Sequence, residues 1–173
     1  RLLYLSIKSW AWVSGGAGGA GIPGTGKTAV FDGGGLNGCT FSAHTTIGTI
    51  DIRSGYTGIV TVGAWNITVE NALNVGTASM TKTSGTISSP NMTISGGTLS
   101  GGSGVMSIGN VTISAGTFNA PTGGMTITGN WYKSGGLFSQ SAGTITFNPS
   151  SNSTLTAGAS NGTFFAITKT GAN

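Results

Sequence analysis

Few residues in this chain could do chemistry, and the most conspicuous group forms a phosphate-loop pattern. Gly21-Ile-Pro-Gly-Thr-Gly-Lys27-Thr28 matches G-x-x-x-x-G-K-[ST] at every specified position. Such a loop cradles phosphates when a buried strand leads into it and a helix leaves it, so that backbone N–H groups and the helix dipole converge. Here a Gly/Ala-rich stretch precedes the pattern and a strand-like Thr28-Ala-Val-Phe31 follows it. We interpret the match as fortuitous and expect no nucleotide or other cofactor.

The remaining reactive side chains are single and scattered. His44 is the only histidine and Cys39 the only cysteine, beside three acids at positions 32, 51 and 70. One cysteine allows neither an intramolecular disulfide nor a cysteine-based metal site. A dyad of His44 and Asp51 would still need a nucleophile, and the paired carboxylates of glycoside hydrolysis are missing. We therefore predict no metal site, no catalytic residues and no enzyme activity.

Two residue types point to sugars instead. Asn-x-Ser/Thr sequons make Asn66, Asn91, Asn110, Asn152 and Asn161 candidate glycosylation sites in an extracellular protein. The alternative for Asn91 and Asn110 is structural, because both occupy a repeated turn position where Asn tolerates a left-handed backbone and can form a ladder.

Aromatic side chains could stack on glycans. We favour the alternative that they cap or fill a core. They are Trp10, Trp12, Trp65, Trp131 and Tyr132.

These residues must be positioned by short strands, because a template recurs every 19 or 20 residues in the second half of the chain. It begins at Asn91, Asn110 and Asn130, and an alternating strand such as Met106-Ser-Ile108 or Met125-Thr-Ile127 follows at the same offset. So short a unit buries too little apolar surface to fold alone and becomes stable by stacking on its neighbours. We predict an all-β fold of stacked short strands, a β-solenoid of five or six coils, with a β-sandwich or jelly roll as the alternative.

Composition limits the partners. Only 6% of the residues are charged, and the seven basic residues are never adjacent, so no basic patch for nucleic acid is expected. No stretch is long enough to span a membrane as a helix. Such a surface relies on hydroxyls, glycans or self-association rather than on charge repulsion.

The N-terminus carries a second type of feature. Residues 1–14 alternate like a strand, with Leu3, Leu5 and Ile7 on one face and Trp10 and Trp12 on the other. Residues 15–27 are Gly-rich and predict a flexible linker, followed by a β-repeat domain over 28–173. The segment could fold back onto its own domain. It could also add as a strand to the edge of another subunit.

Residues 22–62 resemble the opening of large secreted bacterial surface proteins. In those, a Trp-containing segment is followed by a P-G-x-G-D-T-x-x-F-D stretch and Gly/Thr-rich β-repeats. Pro23-Gly-Thr-Gly-Lys-Thr-Ala-Val-Phe-Asp32 follows this pattern except at Lys27, where an acid is common. The rest of the chain is loosely similar to adhesin and autotransporter passenger repeats. The resemblance implies an extracellular, β-rich surface or fibre protein.

Together these features favour an extracellular structural protein that polymerises with itself into a fibre. Its assembly residues would be Leu3, Leu5, Ile7, Trp10 and Trp12. The alternative is a monomeric adhesin or glycan-binding module of a larger surface protein.

Overall fold

The computed structural model describes residues 23–34, 37–140, 142–158 and 162–171, and every regular element within them is a β-strand. Short apolar runs separated by glycine turns explain this, since they suit strands and offer no helical period. The strands are β1 (Thr28–Phe31), β2 (Cys39–Thr40), β3 (Thr45–Ile52), β4 (Ile59–Thr61), β5 (Ile67–Val75), β6 (Ser79–Thr81), β7 (Thr86–Ser100), β8 (Val105–Asn119), β9 (Met125–Ile127), β10 (Trp131–Lys133), β11 (Leu137–Ser139), β12 (Ile145–Phe147), β13 (Leu155–Thr156) and β14 (Ile167–Lys169).

The strands stack in parallel and form a β-solenoid of about seven turns. Each turn contributes to three parallel sheets, which we call faces 1, 2 and 3 in chain order. Face 1 contains strands β3, β5, β7, β8, β9, β12 and β14; face 2 contains β1, β3, β5, β7, β8, β10 and β13; face 3 contains β2, β4, β6, β7, β8 and β11. The predicted solenoid is therefore confirmed, with more turns than the five or six expected.

The core consists of columns of inward side chains, one above another in strict register. On face 3, Leu99 pairs with Phe118 and Phe118 with Phe138. On face 1, Ile108 pairs with Ile127 and Ile127 with Phe147, as the repeat predicts. These inward residues are almost fully buried, so each turn completes the core of the turns above and below it.

The outward positions are mostly hydroxyls. Face 1 carries an unbroken column of Ser and Thr along its centre, because paired positions in all seven strands have one of these two residues. The column consists of Thr46, Thr68, Ser88, Ser107, Thr126, Thr146 and Thr168.

Trp65 does not share the burial of the strand that follows it. Ile67 and Val69 are buried, whereas Trp65 is 39% exposed, because β5 begins at Ile67 and Trp65 lies in the preceding corner, where period-two alternation no longer applies. The predicted N-terminal strand over residues 1–14 lies outside the described residues.

Candidate assembly surface at the C-terminal end

An asparagine ladder joins successive turns at the corner before face 2. Asn91 Nδ2 donates to the Asn71 carbonyl oxygen at 3.1 Å, and Asn110 Nδ2 donates to Asn91 Oδ1 at 3.1 Å. Asn110 Oδ1 then accepts the Asn130 backbone N–H at 2.9 Å, and Asn130 Oδ1 accepts the Thr154 N–H at 2.8 Å. The amides of Asn91 and Asn110 therefore bridge coils, as the structural alternative expects, and glycosylation at these positions stays a prediction.

The other sequons differ in their surroundings. Asn66 Oδ1 accepts the backbone N–H of Thr86 at 2.9 Å, so this side chain also bridges two turns. Asn152 is exposed in the loop before β13. Asn161 lies outside the described residues. A glycan at Asn91 or Asn110 would replace one hydrogen of a laddered amide, whereas Asn152 has no such role in the ladder.

The phosphate-loop lookalike has none of the geometry of a phosphate site. Its glycines form a turn in which Lys27 N–H donates to the Gly24 carbonyl oxygen at 2.9 Å. The Gly26 N–H, a group that would face a phosphate, instead donates to the carboxylate of Glu70 at 2.6 Å. The loop leads into strand β1 rather than into a helix. A carboxylate already bound at that amide would repel a phosphate.

The scattered reactive residues are each held by separate partners. His44 Nδ1 accepts the Asn66 N–H at 3.0 Å, while Asp51 is paired with Arg53 at 2.7 Å, so the two do not form a dyad. Burial raises the pKa of the Cys39 thiol to about 11, which keeps it protonated and poorly nucleophilic. Among the described residues no group of three or more His, Cys, Asp or Glu side chains could hold a metal ion.

Two inward lysines were not anticipated from the sequence. Lys82 and Lys133 are only 4% and 3% exposed. Lys82 Nζ donates to the Trp65 carbonyl oxygen at 2.6 Å, and desolvation lowers the pKa of its ammonium group. Their burial could have been predicted from the repeat, because both lysines fall at positions where the repeat places inward-facing side chains. Since they are the only charged residues between positions 71 and 168, the outer surface of those turns carries no exposed charge.

Aromatic side chains fill the core near the C-terminal end. Trp131 is 1% exposed, and its ring lies 4.9 Å from that of Phe138 and 5.2 Å from that of Phe164, measured between centroids. Trp131 therefore fills the core, as we favoured, and cannot stack on a sugar. Tyr132, its neighbour on the outward side of β10, is 50% exposed.

The last described strands expose side chains that are core in earlier turns. Leu155 and Ile167 continue the buried columns of Trp131 and Ile145, yet each is 46% exposed. Phe165, two residues before Ile167 in the chain, is 72% exposed. Within the part of the chain that the structure describes, β13 pairs only with β10 and β14 only with β12.

This combination of apolar side chains and open strand edges is our candidate assembly surface, which we call the C-terminal end. Its backbone N–H and C=O groups on the open side can accept a further parallel strand. The sequence did not reveal it, because the step from Asn130 to the next ladder position, Thr154, is 24 residues rather than 19 or 20.

The opposite end differs. In the first turn, Ala29, Phe31 and Cys39 are all at most 6% exposed. Exposed core positions are thus concentrated at the C-terminal end.

A shallow groove lies on the side of the rod at the edge of face 1. It has a volume of about 410 Å³ and lies between Val105 and the glycines at positions 123, 124 and 143. Its polar lining consists of hydroxyls and backbone, chiefly Thr122, Thr126, Thr144 and Thr146. It has hydrogen-bonding capacity but no titratable group to move a proton.

The predicted assembly residues Leu3, Leu5, Ile7, Trp10 and Trp12 all precede residue 23, outside the described residues. None of the described part forms a helix long and apolar enough to cross a membrane. No protein-family model matches the chain, and no curated protein or solved structure gives a significant match.

Proposed function

We propose that this chain is an extracellular structural subunit that assembles with copies of itself, end to end, into a fibre. The observation that carries the proposal is the C-terminal end, where Leu155, Phe165 and Ile167 are exposed beside two open strand edges. A second copy stacked there would continue the columns and the hydrogen-bonded ladders of faces 1 and 2. Open edges of this kind promote association unless they are covered.

The surface chemistry of the rod is consistent with this role. From position 71 to 168 the outer surface has no exposed charge, so the sides of these turns contribute no electrostatic repulsion between copies, and Lys169 adds one positive charge at the C-terminal end. The resemblance to secreted bacterial surface proteins supports an extracellular location. A hydroxyl-rich rod whose described reactive residues lie apart from one another suits a structural role there.

The size of the exposed patch limits how it can work. Burying a large apolar side chain completely contributes about 1.5–3 kcal/mol, so three partly exposed ones contribute roughly 3–5 kcal/mol. Association costs an estimated 4–15 kcal/mol of translational and rotational freedom. Apolar contact at this end is therefore insufficient alone, and added strand pairing must supply the rest.

A lysine substitution at the end of the rod tests the proposal. Ile167→Lys places a charge in the inward column at the C-terminal end and should abolish assembly in sedimentation velocity. The matched control is Ile59→Lys, since Ile59 is 51% exposed but lies in β4, which is paired on both sides by β2 and β6. Equal assembly by both variants would contradict the proposal.

A second candidate function is glycan binding by the monomer. The hydroxyl-lined groove and the half-exposed ring of Tyr132 favour it, since sugars bind to hydroxyl arrays and stack on aromatic faces. Tyr132 is on face 2, however, and the groove is on face 1, so the two do not form one platform. A monodisperse protein whose glycan-array signal disappears in Tyr132→Ala would support this candidate over the fibre.

A further inference from the structure

The N-terminal segment has the inward pattern of a solenoid turn. Counting from Leu5, its large apolar residues Leu5, Ile7, Trp10 and Trp12 fall at offsets 0, 2, 5 and 7. In three of the described turns, those of β3, β7 and β8, the same offsets locate the inward residues of face 1 and then face 2. They are Thr45, Ile47, Ile50 and Ile52 in β3, and Met106, Ile108, Val111 and Ile113 in β8.

This pattern changes the assignment of the N-terminal residues to two opposite faces of one strand. A plain alternation separates Trp10 and Trp12 from Leu5 and Ile7, because it assumes one continuous strand. The corner between faces 1 and 2 changes the phase by one residue, as it does between Ile108 and Val111. All four residues can then point inward together.

We propose that residues 5–12 of one copy add as a parallel turn to the C-terminal end of a second copy. Leu5 would stack on Ile167 on face 1, and Trp10 would follow in the same added turn, in the face 2 column that contains Leu155. This inference rests on the proposed end-to-end assembly and names the segment that makes the contact. It supplies the strand pairing that the apolar patch alone lacks.

The two ends of the rod argue for this receiving site. Leu155 and Ile167 are core positions left half exposed, whereas Ala29 and Phe31 at the first turn are already buried. Two tryptophans and two aliphatic side chains would gain most by covering the exposed end. The parallel direction follows from the stack, in which every described pairing is parallel.

The length of the linker favours a second copy over the chain's own C-terminal end. Face 1 has seven strands, so its ends are six steps of about 4.8 Å, or about 29 Å, apart. Between Trp12 and the turn at Gly24 lie 11 residues, and a Gly-rich linker of that length has a root-mean-square span of about 18 Å. A stacked neighbour presents its C-terminal end next to the first turn, well within that span, and the tether raises the effective concentration of the segment there.

Lys169 does not prevent this contact. It continues the column of Phe147 on face 1, so Ile7 would lie over it. An equivalent arrangement already exists inside the rod, where Lys133 follows Ile113 in an inward column of face 2 and is 3% exposed. The stack thus accommodates an inward lysine stem between turns.

Two full-length variants with complementary defects test the inference. Leu5→Asp with Ile7→Asp should disable the segment but leave the C-terminal end intact, and Ile167→Lys should do the reverse. Each alone is expected to sediment as a monomer. Mixed in equal amounts, they should form a one-to-one dimer that cannot grow, because one intact segment meets one intact end.

The control variant introduces the same two negative charges, but at outward-facing positions of the segment. Tyr4→Asp with Ser6→Asp alters the outward positions of the same segment and should leave assembly intact. The inference is overturned if the Leu5/Ile7 variant still forms fibres, if the mixture stays monomeric, or if the control variant is equally defective. Fibres that form without the segment yet are blocked by Ile167→Lys would leave the proposed function standing. A wild-type chain that stays monomeric would remove both.

Discussion

At the residue scale, one side chain links three successive turns. Asn110 donates to Asn91 Oδ1 at 3.1 Å and accepts from the Asn130 backbone N–H at 2.9 Å. Each such bond contributes about 0.5–1.5 kcal/mol net. The ladder acts where the chain turns from face 1 to face 2, and at Asn91 and Asn110 it adds side-chain bonds to positions that are also paired in the strand register.

Replacing Asn110 by Ala should therefore lower the free energy of unfolding by about 1–2 kcal/mol, measured by denaturant titration. Asn152→Ala is the matched control, since Asn152 is an exposed sequon asparagine outside the ladder. It should change stability by less than about 0.5 kcal/mol. Equal effects of the two substitutions would mean that the ladder does not stabilise the rod.

Lys82 makes a prediction about pH. Burial lowers the pKa of its ammonium group below the ordinary value of 10.5, so the folded chain releases this proton at lower pH than the unfolded chain does. Between the two pKa values the unfolded state binds more protons, and stability rises with pH. Relative to Lys82→Met, wild type should thus gain stability as the pH increases from neutral towards 10.5.

The comparison of wild type with Lys82→Met isolates the contribution of Lys82 to the pH dependence of stability. Burial raises the pKa values of Cys39 and Tyr56, so their ionisation opposes folding at high pH, but it does so equally in both proteins. A stability difference that stays constant over this range would show that the folded environment does not affect Lys82.

At the element scale, the corners decide how closely turns can stack. Gly116 has a φ of +72°, and a β-carbon there would clash with the backbone carbonyl of Gly96 in the turn below. Gly26 has a similar φ of +68°, but a β-carbon there would meet nothing within 4 Å. Substitutions at Gly116 and Gly26 can therefore separate the cost of a left-handed backbone from the cost of lost stacking.

Gly26→Ala should destabilise the protein by about 1–2 kcal/mol, the cost of the left-handed conformation for a residue with a side chain. Gly116→Ala carries the same cost and also forces β7 and β8 apart, so its loss of unfolding free energy should be larger by at least about 2 kcal/mol. Similar values for the two variants would contradict close stacking at this corner.

The sequence predicted the faces better than the corners, for a physical reason. Stacking requires an apolar residue at the same inward position in successive turns. The column through Leu99 and Phe118 could therefore be recognised in the sequence as a repeat. Corners tolerate inserted residues, because they project away from the stack. The step between ladder partners is 19 residues from Met92 to Val111 but 24 from Trp131 to Leu155, and the last turn was therefore missed.

The features of the candidate site were likewise predictable from the sequence only in part. The phosphate-loop match was correctly read as strand and turn, because its flanks carried the information. The exposure of Trp65 could not be predicted, since alternation does not show where a strand starts. The exposure of Leu155 and Ile167 depends on what lies beyond the last turn, and no local pattern encodes that.

At the scale of the whole molecule, the described residues form a rod about seven turns long that exposes apolar side chains in its last described strands. Its sides from position 71 to 168 carry hydroxyls instead of exposed charge, and its strand edges are satisfied everywhere except at the ends. End-to-end stacking would extend the ladders without a new type of contact. Side-by-side association would leave the open edges uncovered.

Fibre diffraction from aligned wild-type assemblies distinguishes these arrangements most directly. End-to-end stacking places every strand perpendicular to the fibre axis, so a reflection near 4.8 Å should lie on the meridian. Seven turns per subunit would add an axial repeat of about 34 Å, or slightly more if the N-terminal segment forms a turn of its own. A 4.8 Å reflection on the equator, or a wild-type protein that stays monomeric, would contradict assembly through the C-terminal end.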